Sequence, residues 1–458
     1  KKGNQKKGDN EMKTIIQNAL IVNEGEAFDG CLVIDGQRID KVFRGKEAVR
    51  EARQYCGIEH TCIDAAGMIL MPGIIDDQVH FREPGQPQKG TMTSESRAAL
   101  LGGVTSVMDM PNNVPPVITA EALEKKYRLG ADKMFVNYGF YMGSSNTNAE
   151  EVLKHTDTGC GLKIFMGSST GNMLVDDPDA LDTFFSRYPG VIATHCEEES
   201  IIRENLETAK ARFGEDIPVI LHNTIRSREA CIASTKKALE LALKHRTRLH
   251  ILHVTTKEEI ELIRKARRIN PGISCEAALP HIIYTQADYV RYGTQIKCNP
   301  SIKTAQDRDA IIEAIENGDI QTVGSDHAPH TWEEKQNPYT LAPSGIPLIQ
   351  HFCPILMEQV HQSALSIISL ANACCHRPAE LFKLKDRGFI RESYFADLIL
   401  INPEKEHRVT KSQLEYTCGW SPLEGMIFTT SISHVFVNGT LAAENGQIIQ
   451  KPPVFPFL

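Results

Sequence analysis

Near its start the chain carries apolar positions in short clusters cut by turn residues: Ile15 and Ile16, then 20–22, then 31–34 closed by Asp35 and Gly36. Runs of this length bounded in this way predict short antiparallel strands. The far end repeats the pattern. One apolar run covers 394–401, and another over 434–437 leads into Asn438-Gly439 and a second run closed by Asn445-Gly446, a hairpin signal. Both ends are therefore expected to build one small β-domain, over 12–70 plus 385–449. Between them, over 71–384, short β-branched runs alternate with stretches whose apolar residues recur at helical spacing, such as 119–128, 229–245 and 257–268. Strand-then-helix alternation sustained this long predicts an α/β fold with a parallel sheet, most economically a (β/α)8 barrel.

Composition narrows the class without naming a reaction. The 458 residues are 41% hydrophobic and 24% charged, which fits a globular chain and excludes fibrous or low-complexity ones. Lys plus Arg is 50 against 58 for Asp plus Glu, so no whole-chain attraction to nucleic acid or an anionic membrane is expected. No apolar run reaches the 18 or so residues of a membrane span. Residues 1–11 are expected to be a disordered or appended tail, because Gln17 and Asn18 interrupt the apolar stretch behind it and spoil it as a secretory segment. Twelve scattered cysteines without Cys-x-x-Cys spacing fit reduced thiols in a cytoplasmic protein.

The chemistry sits where strands should end. Residues 74–79 run into His80, 191–194 into His195, 249–252 into His253, and 320–324 into Ser325-Asp326-His327, while Lys163 interrupts the apolar run 161–166. In a barrel these ends converge on one face. One such histidine is more often a hydrogen-bonded structural residue than a ligand, but several converging imidazoles with a carboxylate make the ligand set of Zn²⁺ or a similar borderline metal. Lysine is almost never buried without a partner, so Lys163 needs one. Arg82, two beyond His80, should share its side of the strand and can grip a carboxylate in a forked pair of hydrogen bonds. The alternative for Arg82 is a salt bridge to Glu83 or Asp77. His250 is expected to face away from His253.

The ordered set Pro72-Gly73-Ile74-Ile75-Asp76-Asp77-Gln78-Val79-His80-Phe81-Arg82-Glu83-Pro84-Gly85, Met110-Pro111-Asn112, Cys275-Glu276, Asn299-Pro300, Ser325-Asp326-His327-Ala328-Pro329-His330 and Trp420-Ser421-Pro422-Leu423-Glu424-Gly425 resembles the cyclic amidohydrolases of the amidohydrolase superfamily, within them the dihydroorotase family. The resemblance runs over 13–449. It implies a (β/α)8 barrel with a small β-sandwich made by both termini, and a centre of two divalent metals, Zn²⁺ above all. By motif match His80 and Asp326 would hold the first metal, with Asp326 also the general base, and His195 and His253 the second. Lys163 would carry a CO2-derived carbamate bridging both. Arg82, Asn112 and His330 would bind substrate, with Asn299 and the backbone at Ser344-Gly345 near its ring. The implied reaction is reversible hydrolysis of dihydroorotate to N-carbamoyl-aspartate in pyrimidine synthesis, with a homodimer suggested by relatives.

Three positions depart from the pattern: around Pro280-His281 the usual doubled histidine is reduced to one, Lys303 stands where an arginine is common, and Gln78 bears on the metal site. The first barrel strand of the family normally reads His-x-His, and Gln78 replaces the first histidine. Its amide oxygen can still coordinate, but more weakly toward Zn²⁺, so the first metal is expected to be the looser one. Rival readings are a hydantoinase, dihydropyrimidinase or allantoinase, which lack the ring carboxylate that Arg82 would bind, and a catalytically silent scaffold, for which Gln78 is the argument.

Overall fold

A computed structural model describes residues 12–167 and 173–457, so the expected tail at 1–11 lies outside the described residues. Eight parallel strand positions close the central barrel: Ile74–Val79, Val104–Asp109, Asn137–Phe140 continued by Met142–Gly143, Leu162–Phe165, Ile192–His195, Leu249–Ile251, Ser274–Ala278 and Thr322–Gly324. The ring shuts where Val79 bridges His327 in parallel and the His80 N–H donates to the His327 carbonyl at 2.8 Å. All eight are buried along their length, because helices cover them outside and side chains fill them inside.

The helices follow the expected periodicity, and their caps show why they start where they do. Thr119 caps Ala120–Lys133, Ser227 caps Arg228–His245, and Thr256 with Glu259 forms a capping box on Lys257–Ile269. The first of these runs past 128 through Gly130, which the periodicity treats as an end. A Cβ at Gly130 would stand 2.9 Å from the Tyr138 ring and 3.1 Å from that of Phe140, so the glycine lets the helix lie close on its strand.

Both ends of the chain weave one nine-stranded sheet, in which Ile69–Pro72 lies between Lys13–Asn23 and Leu398–Asn402. It folds over a core of Ile16, Ile21, Leu32, Leu398, Leu400 and Phe436. Two expectations need correction. The clusters at 15–16 and 20–22 belong to one strand, kinked by a bulge between Ile16 and Ala19 with Asn18 at φ 60°. That strand is also not purely antiparallel, since it pairs in parallel with His60–Asp64 and Ile69–Pro72. The run expected from 394 forms a continuous strand only from Leu398, preceded by an isolated bridge of Phe395 to Arg38. The Asn438-Gly439 and Asn445-Gly446 turns fall where the pattern put them, between Ser431–Val437, Thr440–Glu444 and Gln447–Ile448. No helix among the described residues is long and apolar enough to cross a membrane.

Asp397 ties the sheet to the barrel. Its carboxylate pairs with Arg387, accepts the Asn438 N–H at 2.7 Å and meets the side chain of Asn137 on the third barrel strand at 3.3 Å. Asn438 in turn donates to Asn137 at 2.8 Å. With Arg387 and Asp397 each about 5% exposed, removing the carboxylate strands a buried guanidinium. Asp397→Ala should therefore cost about 3–5 kcal/mol in urea unfolding. A loss below about 1 kcal/mol, the size of a surface pair, would show that the two parts hold together without this network.

Candidate active site

At the C-terminal ends of the barrel strands lies a cavity of about 260 Å³. Every candidate residue singled out above lines it: Gln78, His80, Arg82, Asn112, Lys163, His195, His253, Asn299, Asp326, His330, Ser344 and Gly345, with Phe165, Ala328 and Pro343 completing the wall. They come from every strand but the third and the loops that follow, which is how residues more than 200 positions apart meet.

Two constellations face each other across the cavity. In the first, His80 places Nδ1 2.7 Å from the side-chain oxygen of Asn112 and Nε2 3.2 Å from Asp326 Oδ1. With its proton on Nδ1, donated to Asn112, His80 turns a lone pair toward the carboxylate, an arrangement that a cation between them satisfies. Gln78 donates from Nε2 to the same Asp326 oxygen at 3.1 Å, and its own Oε1 is buried without a hydrogen-bond partner among the described residues. In the second, His195 Nδ1 and His253 Nε2 are 3.1 Å apart. Two nitrogens on one tetrahedral ion with bonds of about 2.0–2.1 Å lie about 3.3 Å apart, so this pair already has nearly the spacing of shared ligands. Burial lowers the pKa of both rings, that of His253 well below the usual histidine value, which leaves them in the neutral form a metal requires.

The second pair is braced by residues that motif reasoning missed. Glu197 Oε2 sits 2.8 Å from His195 Nε2, and Arg226 grips the same carboxylate with Nε 3.1 Å from each oxygen. Burial opposes ionisation of Glu197, but Arg226 and His195 outweigh it and hold the carboxyl well below the usual range. The carboxylate thus keeps the His195 proton on Nε2 and aims Nδ1 into the cavity, as buried carboxylates do for metal-bound histidines. The only sequence signal was an acid two residues past a strand-end histidine. Lys335 was also missed. Its buried ammonium donates to the carbonyls of Lys297, Pro343 and Gly345, pinning the segment that forms one cavity wall.

Lys163 is 1% exposed, and its amine has no hydrogen bond or ion pair among the described residues. Its nearest favourable contact is the Phe165 ring, 4.6 Å from the nitrogen. Burial pushes the amine down from 10.5 to about 7, partly offset by Glu276 and Asp326. That displacement corresponds to about 5 kcal/mol against the ammonium, more than the ~2 kcal/mol a desolvated cation–π contact returns.

Arg82 reaches the cavity by a route that alternation did not foresee. The first strand stops at Val79, and Arg82 lies in a turn with φ 65°, in the left-handed region, as do His253 at 37° and Asp326 at 47°. Backbone strain gathered at three cavity residues is characteristic of functional sites. Arg82 Nε donates to the Pro329 carbonyl at 3.0 Å and Nη2 lies 2.9 Å from His330 Nε2. The salt-bridge alternative is not realised: Glu83 pairs with Lys133, and Asp77 packs beside His250. Arg82 is thus a buried guanidinium with no carboxylate in contact among the described residues, lowered by burial to about 10 and so still charged. His330, also within 3.2 Å of Lys89, is kept neutral by burial and these cations, at about 3. His327 is not part of the cavity. It bonds Glu95 at 2.7 Å and fastens the eighth strand's loop to the first helix of the barrel.

The sequence profile of the amidohydrolase family matches residues 69–442. The dihydroorotase of Methanosarcina mazei is 32% identical over 84% of this chain and 85% of its own length, and that of Methanosphaera stadtmanae 28% over 85% and 88%. Among solved structures, the L-hydantoinase (dihydropyrimidinase) of Arthrobacter aurescens superposes with a TM-score of 0.90 at 26% identity, over 96% of this chain and 99% of the other.

The depressed Lys163 amine is directly testable in metal-free protein. Its reaction with cyanate, followed by peptide mass, should rise with pH through a midpoint near 7, because the neutral amine is the reactive form and burial makes it available there. A midpoint near the 10.4 of an ordinary lysine would mean that water reaches the amine.

Proposed function

This chain belongs to the amidohydrolase family, and on that premise we propose that it is a dihydroorotase, closing and opening the cyclic amide that links N-carbamoyl-aspartate and dihydroorotate. Hydrolysis of the C–N bond of a cyclic amide is its reaction class. The observation that carries the finer reading is Arg82: a charged guanidinium buried in the cavity with no carboxylate of the described residues against it. A ring carboxylate supplies the missing anion, whereas a hydantoin or dihydrouracil ring would leave the charge uncompensated.

In this reading His195 and His253 would hold one divalent ion, and His80, Asp326 and the free oxygen of Gln78 the other, with a carbamate on Lys163 as a further oxygen ligand. The unpartnered Gln78 Oε1 and the His195–His253 spacing support that assignment. Near pH 7 a large share of Lys163 is the neutral amine, which on adding to CO2 and releasing one N–H proton to solvent would become a carbamate with an anionic oxygen. Two such ions, when bound, make water nucleophilic near neutral pH and polarise an amide carbonyl. Asp326 then accepts the proton of the attacking water and returns it to the departing ring nitrogen, general base becoming general acid. Arg82 orients the ring through its carboxylate, with His330 and Asn112 beside it, while Asn299 and the Ser344-Gly345 backbone confine the ring face.

Asp326→Asn should leave the circular dichroism spectrum unchanged and lower turnover of N-carbamoyl-aspartate by ~10² or more. Near-normal turnover would move the proton shuttle to another group. Arg82→Met should weaken kcat/KM for dihydroorotate by about 2–5 kcal/mol, the cost of stranding a buried charge, with little effect on an uncharged ring. If the unmodified protein hydrolyses hydantoin or dihydrouracil as well as dihydroorotate, the hydantoinase reading replaces this one. Absence of both bound metal and turnover would favour the silent scaffold.

A further inference from the structure

Below the cavity, Asp77 on the first barrel strand, His250 on the sixth and Glu276 on the seventh point inward at a common spot, each fully buried. One ligand atom from each lies within 4.8 Å of the other two. None of the three lines the cavity above. We propose that Asp77, His250 and Glu276 form a third cation site, separate from the cavity, for a borderline divalent ion such as Zn²⁺ or Mn²⁺.

Three observations beyond the grouping point to a ligand. First, Asp77 Oδ1 and Oδ2 and Glu276 Oε2 are buried without a hydrogen-bond donor among the described residues: the two carboxyl groups face each other, and His250 Nε2 lies 3.3 Å from Asp77 Oδ2. No lysine or arginine among the described residues forms an ion pair with either carboxylate. Two carboxylates shut away from water cost several kcal/mol each unless something positive joins them. Second, the groups are held as ligands are held. His250 Nδ1 lies 2.8 Å from the Ser274 hydroxyl, while Nε2 faces Asp77 with the Thr322 hydroxyl 3.4 Å away, and Glu276 Oε1 is fixed by the His253 N–H at 3.1 Å, which leaves Oε2 aimed inward. Third, the eighth strand is cut back opposite them. A Cβ at Gly324 would stand 2.8 Å from Glu276 Oε2 and 3.3 Å from Asp77 Oδ1, so any other residue would intrude on the free oxygens. Two carboxylates and an imidazole suit Zn²⁺ or Mn²⁺ better than Ca²⁺, which takes more oxygens, or Cu⁺, which takes sulfur.

The decisive measurement is anomalous diffraction from crystals of the full chain grown with Zn²⁺, above and below its absorption edge. A peak is expected among Asp77, His250 and Glu276, distinct from any in the cavity. Metal content after dialysis gives an independent reading: Asp77→Asn should lose one equivalent, while Lys163→Ala should lose cavity metal and keep this one. Neither measurement involves a substrate, so the outcome is separable from which cyclic amide the protein hydrolyses. No peak at this spot overturns the proposal, as does a folded Asp77→Asn protein with unchanged metal content. A Asp77–Glu276 oxygen contact of about 2.5–2.7 Å without a peak would identify a shared proton in the ion's place. Should Asp77→Asn fail to fold, the diffraction result on the unmodified chain stands alone.

Discussion

Water exclusion at the upper end of the barrel sets the state of the two histidines, the lysine and the arginine whose pKa it displaces there. His195 and His253 are neutral because burial penalises imidazolium. The same penalty brings the Lys163 amine to about 7, and leaves Arg82, which stays charged, in need of an anion. Glu197 is ionised against burial through the forked grip of Arg226 and its contact with His195. A single cause thus yields neutral imidazoles, a depressed amine and a guanidinium with no carboxylate in contact among the described residues.

Holding that geometry is the task of the surrounding loops, and the means are again buried polar contacts. Trp420 donates to the His330 carbonyl at 2.8 Å, and Lys335 collects three carbonyls around the 343–345 segment. Glu95 anchors His327, whose Nδ1 accepts the Leu348 N–H at 3.1 Å. These residues touch nothing that reacts. They fix where Asp326 and His330 stand, since both lie on the short segment between the eighth strand and Trp332–Lys335.

Much of this was legible in the sequence because a barrel turns chain order into spatial order. Each apolar run ending in a histidine or Asp326 declared both a strand and a cavity residue. What alternation could not give is the course of the chain after a strand stops: Arg82 faces the cavity through a left-handed turn, not by sharing the face of His80 along a strand. Partnerships between side chains were equally hidden. Glu197 and Arg226 meet across 29 positions with no motif to link them, and His250, outside the cavity lining, meets Asp77, 173 residues earlier. A lone buried acid beside Gln78 reads as strand filler until the other strands are in place. Local patterning also missed that Ile15 and Leu20 share one strand, since a bulge at Asn18 breaks the alternation.

The woven sheet has a consequence for synthesis. Ile69–Pro72 pairs on one side with Lys13–Asn23, made just before it, and on the other with Leu398–Asn402, made only after the whole barrel. At about 5–20 residues per second that second neighbour arrives roughly 15–65 seconds later. Meanwhile the nascent chain carries an unpaired, fully apolar strand edge, Ile69-Leu70-Met71, of the kind that recruits foreign strands. The barrel emerging directly behind it, starting at Ile74, is the first structure available to shelter that edge, so the order of translation itself favours a barrel that folds early and a sheet that is sewn shut last.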